Sequence, residues 1–167
     1  KTVDVVKDQA DTKPVRIQGE HIVLATGSVE LGLPGMPFGG RVISSTQALS
    51  PDNIPKKLVV VGGGYIGLEL GLVYRKLGSD VTVVEAQDRI LPLYDEELTK
   101  PVAASLRKLG VQVQLGSKVQ GLNTAGDAVR VQDASGRDSE LAADQVLVAI
   151  GRAPHTHGWG LEKLMLA

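Results

Sequence analysis

Apolar and polar residues alternate along residues 2–6 and again along 14–18, with turn-forming residues 8–13 between them, which predicts an antiparallel hairpin. Residues 21–25 are nearly continuously apolar and end in Thr26-Gly27-Ser28, the pattern of a buried strand followed by a tight turn. Residues 31–40 carry Gly32, Pro34, Gly35, Pro37, Gly39 and Gly40, too many breakers for a regular element, and so read as a loop and domain boundary. Ser44 to Thr46 offers an N-cap for a short helix through Leu49, stopped by Pro51.

From residue 58 the pattern becomes α/β. An apolar strand at 58–61 runs into Gly62-Gly63-Gly64, after which Ile66, Leu70, Val73 and Leu77 recur at helical spacing until Gly78. A second buried strand is predicted at 81–84. Asp95-Glu96-Glu97 then opens a helix with acidic residues at the positive end of its dipole, its apolar stripe being Leu98, Val102, Leu106 and Leu109. Pro101 falls inside that helix, where a lost N–H and a ring clash cost about 3 kcal/mol, so a kink or restarted turn is expected. A third strand at 111–115 precedes three short runs, 118–122, 128–132 and 139–142, separated by Gly126-Asp127 and Ser135-Gly136 as in an antiparallel meander. A continuous apolar strand, 145–150, closes the series. Right-handed crossovers fold the order β-α-β-α-β-meander-β into a Rossmann-like parallel sheet with crossover helices and an antiparallel meander.

Composition narrows the chemistry. The 167 residues contain no cysteine, which removes disulfides, thiolate metal sites and a cysteine nucleophile from these residues. Eighteen Lys+Arg against 19 Asp+Glu give no electrostatic footprint for nucleic acid, and no apolar run approaches the roughly 18 residues of a membrane span. Few aromatics and 20 glycines imply a core of Val, Leu, Ile and Ala, as in buried parallel strands. Lys1 is not an initiator Met, and the polar hairpin after it is not a signal peptide, so the chain is read as part of a longer one. His155 and His157 stand in a polar loop without a third ligand and are read as solvated, and no metal site is assigned. Trp159, Leu161, Leu164 and Leu166 are expected to cap the core or pack on another domain.

Gly62-Gly63-Gly64-Tyr65-Ile66-Gly67 satisfies G-x-G-x-x-G between a strand and an amphipathic helix. In that context Gly62 permits the sharp turn, Gly64 lets backbone approach a pyrophosphate, and Gly67 lets the helix lie on the strand. The helix N-terminus receives the phosphate charge. Glu85 ends the next strand 18 residues after Gly67, where a carboxylate accepts from an adenosine ribose diol and repels a 2′-phosphate. Ala86 and Gln87 follow it, and Arg89 reads as a solvated loop charge, so NAD is favoured over NADP.

Ala25-Thr26-Gly27-Ser28, residues 55–69 with their glycine-rich turn, Val83-Val84-Glu85, Leu93-Tyr94-Asp95-Glu96-Glu97-Leu98 and Val148-Ala149-Ile150-Gly151-Arg152 together resemble the pyridine nucleotide-disulfide oxidoreductases. The resemblance covers nearly the whole chain and is nearest to the members that reoxidise dihydrolipoamide on a lipoyl domain of 2-oxoacid dehydrogenase complexes. It implies that residues 62–67 hold the NAD pyrophosphate, Glu69 reaches the nicotinamide side and Glu85 holds the ribose, with Val119 and Gly151 lining the site. Tyr65 matches a residue that covers the flavin in related reductases, although a surface Tyr and a dipole-compensating Glu69 remain the plainer alternatives. Thr26, Gly27 and Ser28 would contact FAD in the full-length protein. The family's redox cysteines and catalytic His and Glu have no counterpart here, so no catalytic residue is assigned. Ala153 stands where many relatives carry a second Arg. The implied partition is 1–40 as a partial FAD-domain segment, 41–150 as the NAD-binding domain and 151–167 as a return toward the FAD domain. NAD or NADH, FAD, dihydrolipoamide, a homodimer and a cytoplasmic setting follow as expectations. A different flavin disulfide reductase, or a dinucleotide-binding module without catalysis, are the alternatives.

Overall fold

The computed structural model describes residues 1–6, 13–158, 160 and 161. Residues 8–12 of the turn expected at 8–13, and the packing of Trp159, Leu164 and Leu166, lie outside the described residues. The chain divides into two compact units, Lys1–Ser28 with Pro154–Ala167, and Val29–Ala153.

In the first unit the alternating segments form the predicted hairpin, β1 (Thr2–Val5) antiparallel to β2 (Val15–Gln18) with Val3 opposite Ile17. The Arg16 guanidinium donates across the ladder to both Asp4 carboxylate oxygens, at 2.8 and 3.0 Å. That bond holds the exposed Asp4 carboxyl below its ordinary pKa. The buried strand expected at 21–25 is not there. These residues are irregular, and Val23 is 87% exposed. A strand is a pairing of backbone groups, not a property of apolar side chains, and no described residue pairs with this stretch.

β3 (Ser28–Glu30) begins at the last residue of the first unit's leading segment, and the second unit continues with β4 (Val42–Ile43) and α1 (Ser45–Ala48). The Ser44 N-cap is completed by a reciprocal box in which Ser44 accepts from the Gln47 N–H and Gln47 accepts from the Ser44 N–H. Then come β5 (Lys57–Val61), α2 (Tyr65–Lys76), β6 (Asp80–Val84), α3 (Glu96–Lys108) and β7 (Gln112–Gln114). The meander follows as β8 (Lys118–Leu122), β9 (Ala128–Gln132) and β10 (Asp138–Ala142), and β11 (Gln145–Val148) returns to the main sheet. β12 (Arg152–Pro154) is last, and beside it the Leu31 N–H donates to the Gly151 carbonyl at 3.0 Å.

The main sheet has the order β4-β11-β5-β6-β7, and every pairing in it is parallel. Both faces are covered, which is why its strands read as continuous apolar runs. Leu58 and Val60 of β5 pack with Leu68, Tyr74 and Leu106 on the helical side. Val59 and Val61 face the other way, against Val129 and Val131 of the meander. The result is three layers, helices, parallel sheet and antiparallel meander.

Both apolar stripes depart from prediction in part: Leu70 of α2 and Val102 of α3 pack against the core as expected, but other positions do not. In α2 the buried residues are Gly67, Leu68, Gly71 and Tyr74, while Val73 and Leu77 are exposed. The glycines have no apolar side chain to count, yet they mark the side on which the helix lies closest to β5 and β6: a Cβ on Gly71 would stand 3.5 Å from Val81. In α3 Leu106 is buried as expected, but Leu98 is exposed and Thr99 takes the inward position, its hydroxyl donating to the Glu96 carbonyl. The restarted turn expected at Pro101 is not present, since α3 runs unbroken through it. The Pro removes one donor, to the carbonyl of Glu97, and that residue is exposed to water.

The turn between β9 and β10 is tied by Asp133, whose carboxylate accepts from the Ser135 hydroxyl, the Ser135 and Arg137 N–H groups and the Arg137 guanidinium. The Ser135 hydroxyl, first, and then the Arg137 contacts hold this carboxyl far below its ordinary value of 3.8. A depressed folded-state pKa stabilises above the unfolded value and stops doing so in acid. Asp133→Asn is therefore expected to lower the thermal midpoint at neutral pH, with the gap to the parent closing progressively as pH falls below 3.8. Calorimetric scans across that range check it, and a gap independent of pH would contradict the carboxylate's role.

Candidate functional site

β5 lies between β6, reached through α2, and β11, reached through the meander, so the direction of winding reverses at its carboxyl end. Open α/β sheets bind ligands at such switch points. A cleft of about 740 Å³ sits there, lined among others by Gly64, Tyr65, Glu85, Val119 and Arg152.

The glycine-rich turn forms the floor of this cleft. The Gly62 N–H donates to the Val84 carbonyl at 2.9 Å with φ at 107°, and a Cβ there would stand 2.5 Å from the Ala149 carbonyl oxygen. A Cβ on Gly67 would meet the Gly62 carbonyl oxygen at 2.4 Å and Val60 at 3.1 Å. Gly64 differs from both. It is the N-cap of α2, and a Cβ on it would meet nothing within 4 Å, so the side that a side chain would fill is open space. No side chain caps this helix, so its first N–H groups remain available to an anion.

Glu85 closes the neighbouring side. It follows the last residue of β6 and is only 9% exposed. Its backbone is tied to the end of β7 and the loop after it, the N–H donating to the Gln114 carbonyl and the carbonyl accepting from the Ser117 N–H. Its carboxylate accepts from the Gly63 N–H at 2.5 Å and from the Gln87 N–H at 2.7 Å.

Of the residues singled out from sequence, Gly62, Gly64, Tyr65, Ile66, Glu85, Val119 and Gly151 line one cleft. Gly63 and Gly67 lie beneath it, packed on Glu85 and on β5. Glu69 does not line the cleft; it sits one turn further along α2, exposed. Thr26, Gly27 and Ser28 belong to the other unit, in an exposed segment leading into β3, where the Thr26 hydroxyl donates to the His155 carbonyl and the His155 N–H to the Gly27 carbonyl.

Sequence reasoning missed the loop Leu91 to Tyr94, Lys118 and Arg152, all of which line the cleft. Leu91 adopts φ of 50°, and its N–H donates to the Gly63 carbonyl, so this loop is bonded directly to the glycine-rich turn. Arg89 is not the solvated charge expected: half-buried, it donates to the Pro92 carbonyl at 2.6 Å and holds the same loop. Arg152 lies 3.5 Å from the Glu30 carboxylate, which also accepts from the Thr46 hydroxyl. The Thr46 bond, first, and then Glu30's own backbone N–H and Arg152 keep the Glu30 carboxyl below the usual carboxylate range. The available signal for Arg152 was its place, directly after Gly151 beyond the end of a central strand.

Among the described residues no group of His, Cys, Asp or Glu could hold a metal ion, and no helix is long and apolar enough to cross a membrane.

A parallel sheet with helices on one face, a glycine-rich turn at its switch point and a buried acid at the end of the next strand define the class as a Rossmann-type α/β fold. The chain matches the sequence profile of the family "Pyridine nucleotide-disulphide oxidoreductase" over residues 1–167, and it belongs to that family. It is 62% identical over 151 residues to a dihydrolipoyl dehydrogenase of Pseudomonas aeruginosa, covering 90% of this chain and 32% of that protein. It is 46% identical to a leghemoglobin reductase of Vigna unguiculata, covering 96% of this chain and 32% of the relative. Among solved structures, LpdA from Mycobacterium tuberculosis superposes with a TM-score of 0.77 at 31% identity, over 95% of this chain and 34% of that one. The HOCl-induced flavoprotein disulfide reductase RclA from Escherichia coli gives 0.72 at 33% identity, over 86% and 33%. The chain thus spans about a third of the length of the relatives it matches.

Proposed function

We propose that this chain is the NAD-binding part of a flavoprotein dihydrolipoyl dehydrogenase, in which it positions nicotinamide during the reoxidation of dihydrolipoamide on a lipoyl domain. The observation that carries the reading is the pairing of an open Gly64 with a buried Glu85 carboxylate across one cleft. A pyrophosphate needs close backbone approach and free helix N–H groups, which Gly64 and the start of α2 supply. An adenosine ribose needs an acceptor for two hydroxyls. The Glu85 carboxylate has about four lone-pair positions and spends two of them on N–H groups. From those two anchors the dinucleotide runs toward Tyr65, Ile150 and Gly151, which line the same cleft.

The identity to the Pseudomonas aeruginosa dihydrolipoyl dehydrogenase supports the choice of this enzyme within the family. On this reading residues 41–150 are the NAD-binding domain, and 1–40 with 151–167 belong to an FAD domain. FAD, bound in the whole enzyme, supplies the hydride that nicotinamide accepts. Among the residues described, Thr26 to Ser28 are the ones proposed to touch it. The present chain contributes orientation, holding the dinucleotide by its phosphates and ribose so that the reacting ring is delivered in one pose.

The test is discrimination between cofactors. NADH is expected to bind at least about tenfold more tightly than NADPH, roughly 1.4 kcal/mol, because a 2′-phosphate would meet the Glu85 carboxylate. Titration calorimetry with both nucleotides measures it, and Glu85→Ala should narrow the gap. Lys118 and Arg152, which also line the cleft, are the competing charges. Equal or tighter binding of NADPH would overturn the assignment.

A further inference from the structure

We propose that Glu85 is also a positioning residue for the glycine-rich turn itself, holding residues 62–64 in their phosphate-binding shape before any nucleotide arrives. Three consecutive glycines lose more conformational freedom on ordering than any other tripeptide, so something outside them must fix the turn. Gly62 is fixed by the Val84 carbonyl, and the Gly63 carbonyl by the Leu91 N–H. The Gly63 N–H is taken by the Glu85 Oε2 at 2.5 Å, while Oε1 takes the Gln87 N–H at 2.7 Å. Both bonds are charge-assisted, and both sit on a side chain only 9% exposed. The carboxyl also packs on Gly63, where an added Cβ would stand 3.1 Å from the Glu85 Cγ and Oε2. One buried carboxylate therefore ties the glycine-rich turn to the Gln87 loop, and Gly116 ties that loop to the end of β7 by donating to the Gln87 carbonyl at 2.7 Å.

The consequence separates two roles that a loss of NADH affinity would merge. A carboxylate accepts on both oxygens; an amide accepts on one and presents an NH₂ to the other N–H. Glu85→Gln keeps the size and shape of the side chain but leaves either Gly63 or Gln87 without its acceptor. If Glu85 served only the ribose hydroxyls, this would matter only to ligands that carry them.

Two probes with the same adenine and phosphates, ADP and 2′,3′-dideoxy-ADP, distinguish the cases. The functional half of the proposal rests on the cleft being a dinucleotide site; the structural half is read without ligand. Amide hydrogen exchange followed by NMR on the ligand-free chain should show Gly63 and Gln87 protected in the parent, with protection at one of the two lost by roughly tenfold or more in Glu85→Gln. Calorimetry should show dideoxy-ADP weakened roughly fivefold by the same substitution, alongside ADP. If dideoxy-ADP binds both proteins equally while ADP alone weakens, Glu85 is a ribose ligand only and the proposal fails. If Glu85→Gln does not fold, the parent decides: unprotected Gly63 and Gln87 amides overturn the positioning role. If neither nucleotide binds the parent, the function proposed above is wrong, whereas protected amides would still establish the clamp.

Discussion

Gly64→Ala is expected to fold about as well as the parent and to lose most of its affinity for NADH, whereas Gly67→Ala is expected to lose roughly 3 kcal/mol of stability. The two glycines stand three residues apart in one motif, and the spaces around them decide the difference. Gly64 has φ of −76° and ψ of 173°, a conformation any residue adopts, and a Cβ there would meet nothing within 4 Å. Its folding cost is the exchange of Gly for Ala at an N-cap, within about 1 kcal/mol. The methyl would, however, project into the cleft at the point where the helix N-terminus meets a phosphate. At Gly67 the same methyl would stand 2.4 Å from the Gly62 carbonyl oxygen, a contact with backbone that cannot swing aside. Ala gains about 0.5–1 kcal/mol over Gly inside a helix, which is too little to offset pushing α2 off β5. Gly62→Ala should be at least as damaging, since it adds a φ of 107° to a 2.5 Å clash with the Ala149 carbonyl oxygen. Urea denaturation separates the variants by stability and calorimetry by affinity. Normal NADH binding by Gly64→Ala would mean that this turn is not the phosphate site.

Those three glycines were legible because what each one requires is local. A strand running into a turn and then a helix puts the chain under a steric constraint that only Gly satisfies, and the motif declares it without any long-range information. The order of elements was legible for a similar reason: buried parallel strands are continuous apolar runs, and the crossover rule leaves few topologies for them. What failed was whatever depends on a neighbour. Residues 21–25 carry a strand's composition, but strand formation needs a partner backbone. The α2 stripe was misread because closeness there is created by Gly67 and Gly71, residues that an apolar count ignores.

The site divides in the same way. Glu85 could be placed from its distance to the motif, and its position in the cleft was fixed by the end of β6. Its bonds to Gly63 and Gln87 could not be foreseen, because they depend on how two turns from different crossovers meet. Val119 and Gly151 came from resemblance to a family and not from any pattern in the chain. The Leu91 to Tyr94 loop has no periodicity, and its role emerges only from the Leu91 bond to Gly63 and the Arg89 bond to Pro92. Arg152 joins the cleft through a carboxylate more than a hundred positions away in sequence, which no local window contains.

Purified as these 167 residues, the polypeptide is expected to be colourless and to form no NADH from dihydrolipoamide. Oxidising a dithiol to a disulfide releases two electrons and two protons, and those electrons must reach nicotinamide as a hydride. This chain has no cysteine with which to exchange thiols, so no mixed disulfide with the substrate can form on it. The described residues proposed to touch flavin amount to one exposed segment, Thr26 to Ser28, and the Thr26 hydroxyl is already committed to the His155 carbonyl. A cofactor pocket ordinarily surrounds 70–90% or more of its ligand's surface, far beyond what one such segment can bury. NADH binding at the Gly64 and Glu85 cleft should nevertheless persist, since that cleft is built wholly from residues 29–153. The expected profile is thus affinity without turnover. Visible absorbance, a lipoamide-dependent NADH assay and calorimetry on one preparation test it together. A yellow protein with one flavin per chain, or NADH produced from dihydrolipoamide, would show that the catalytic apparatus is carried by these residues after all.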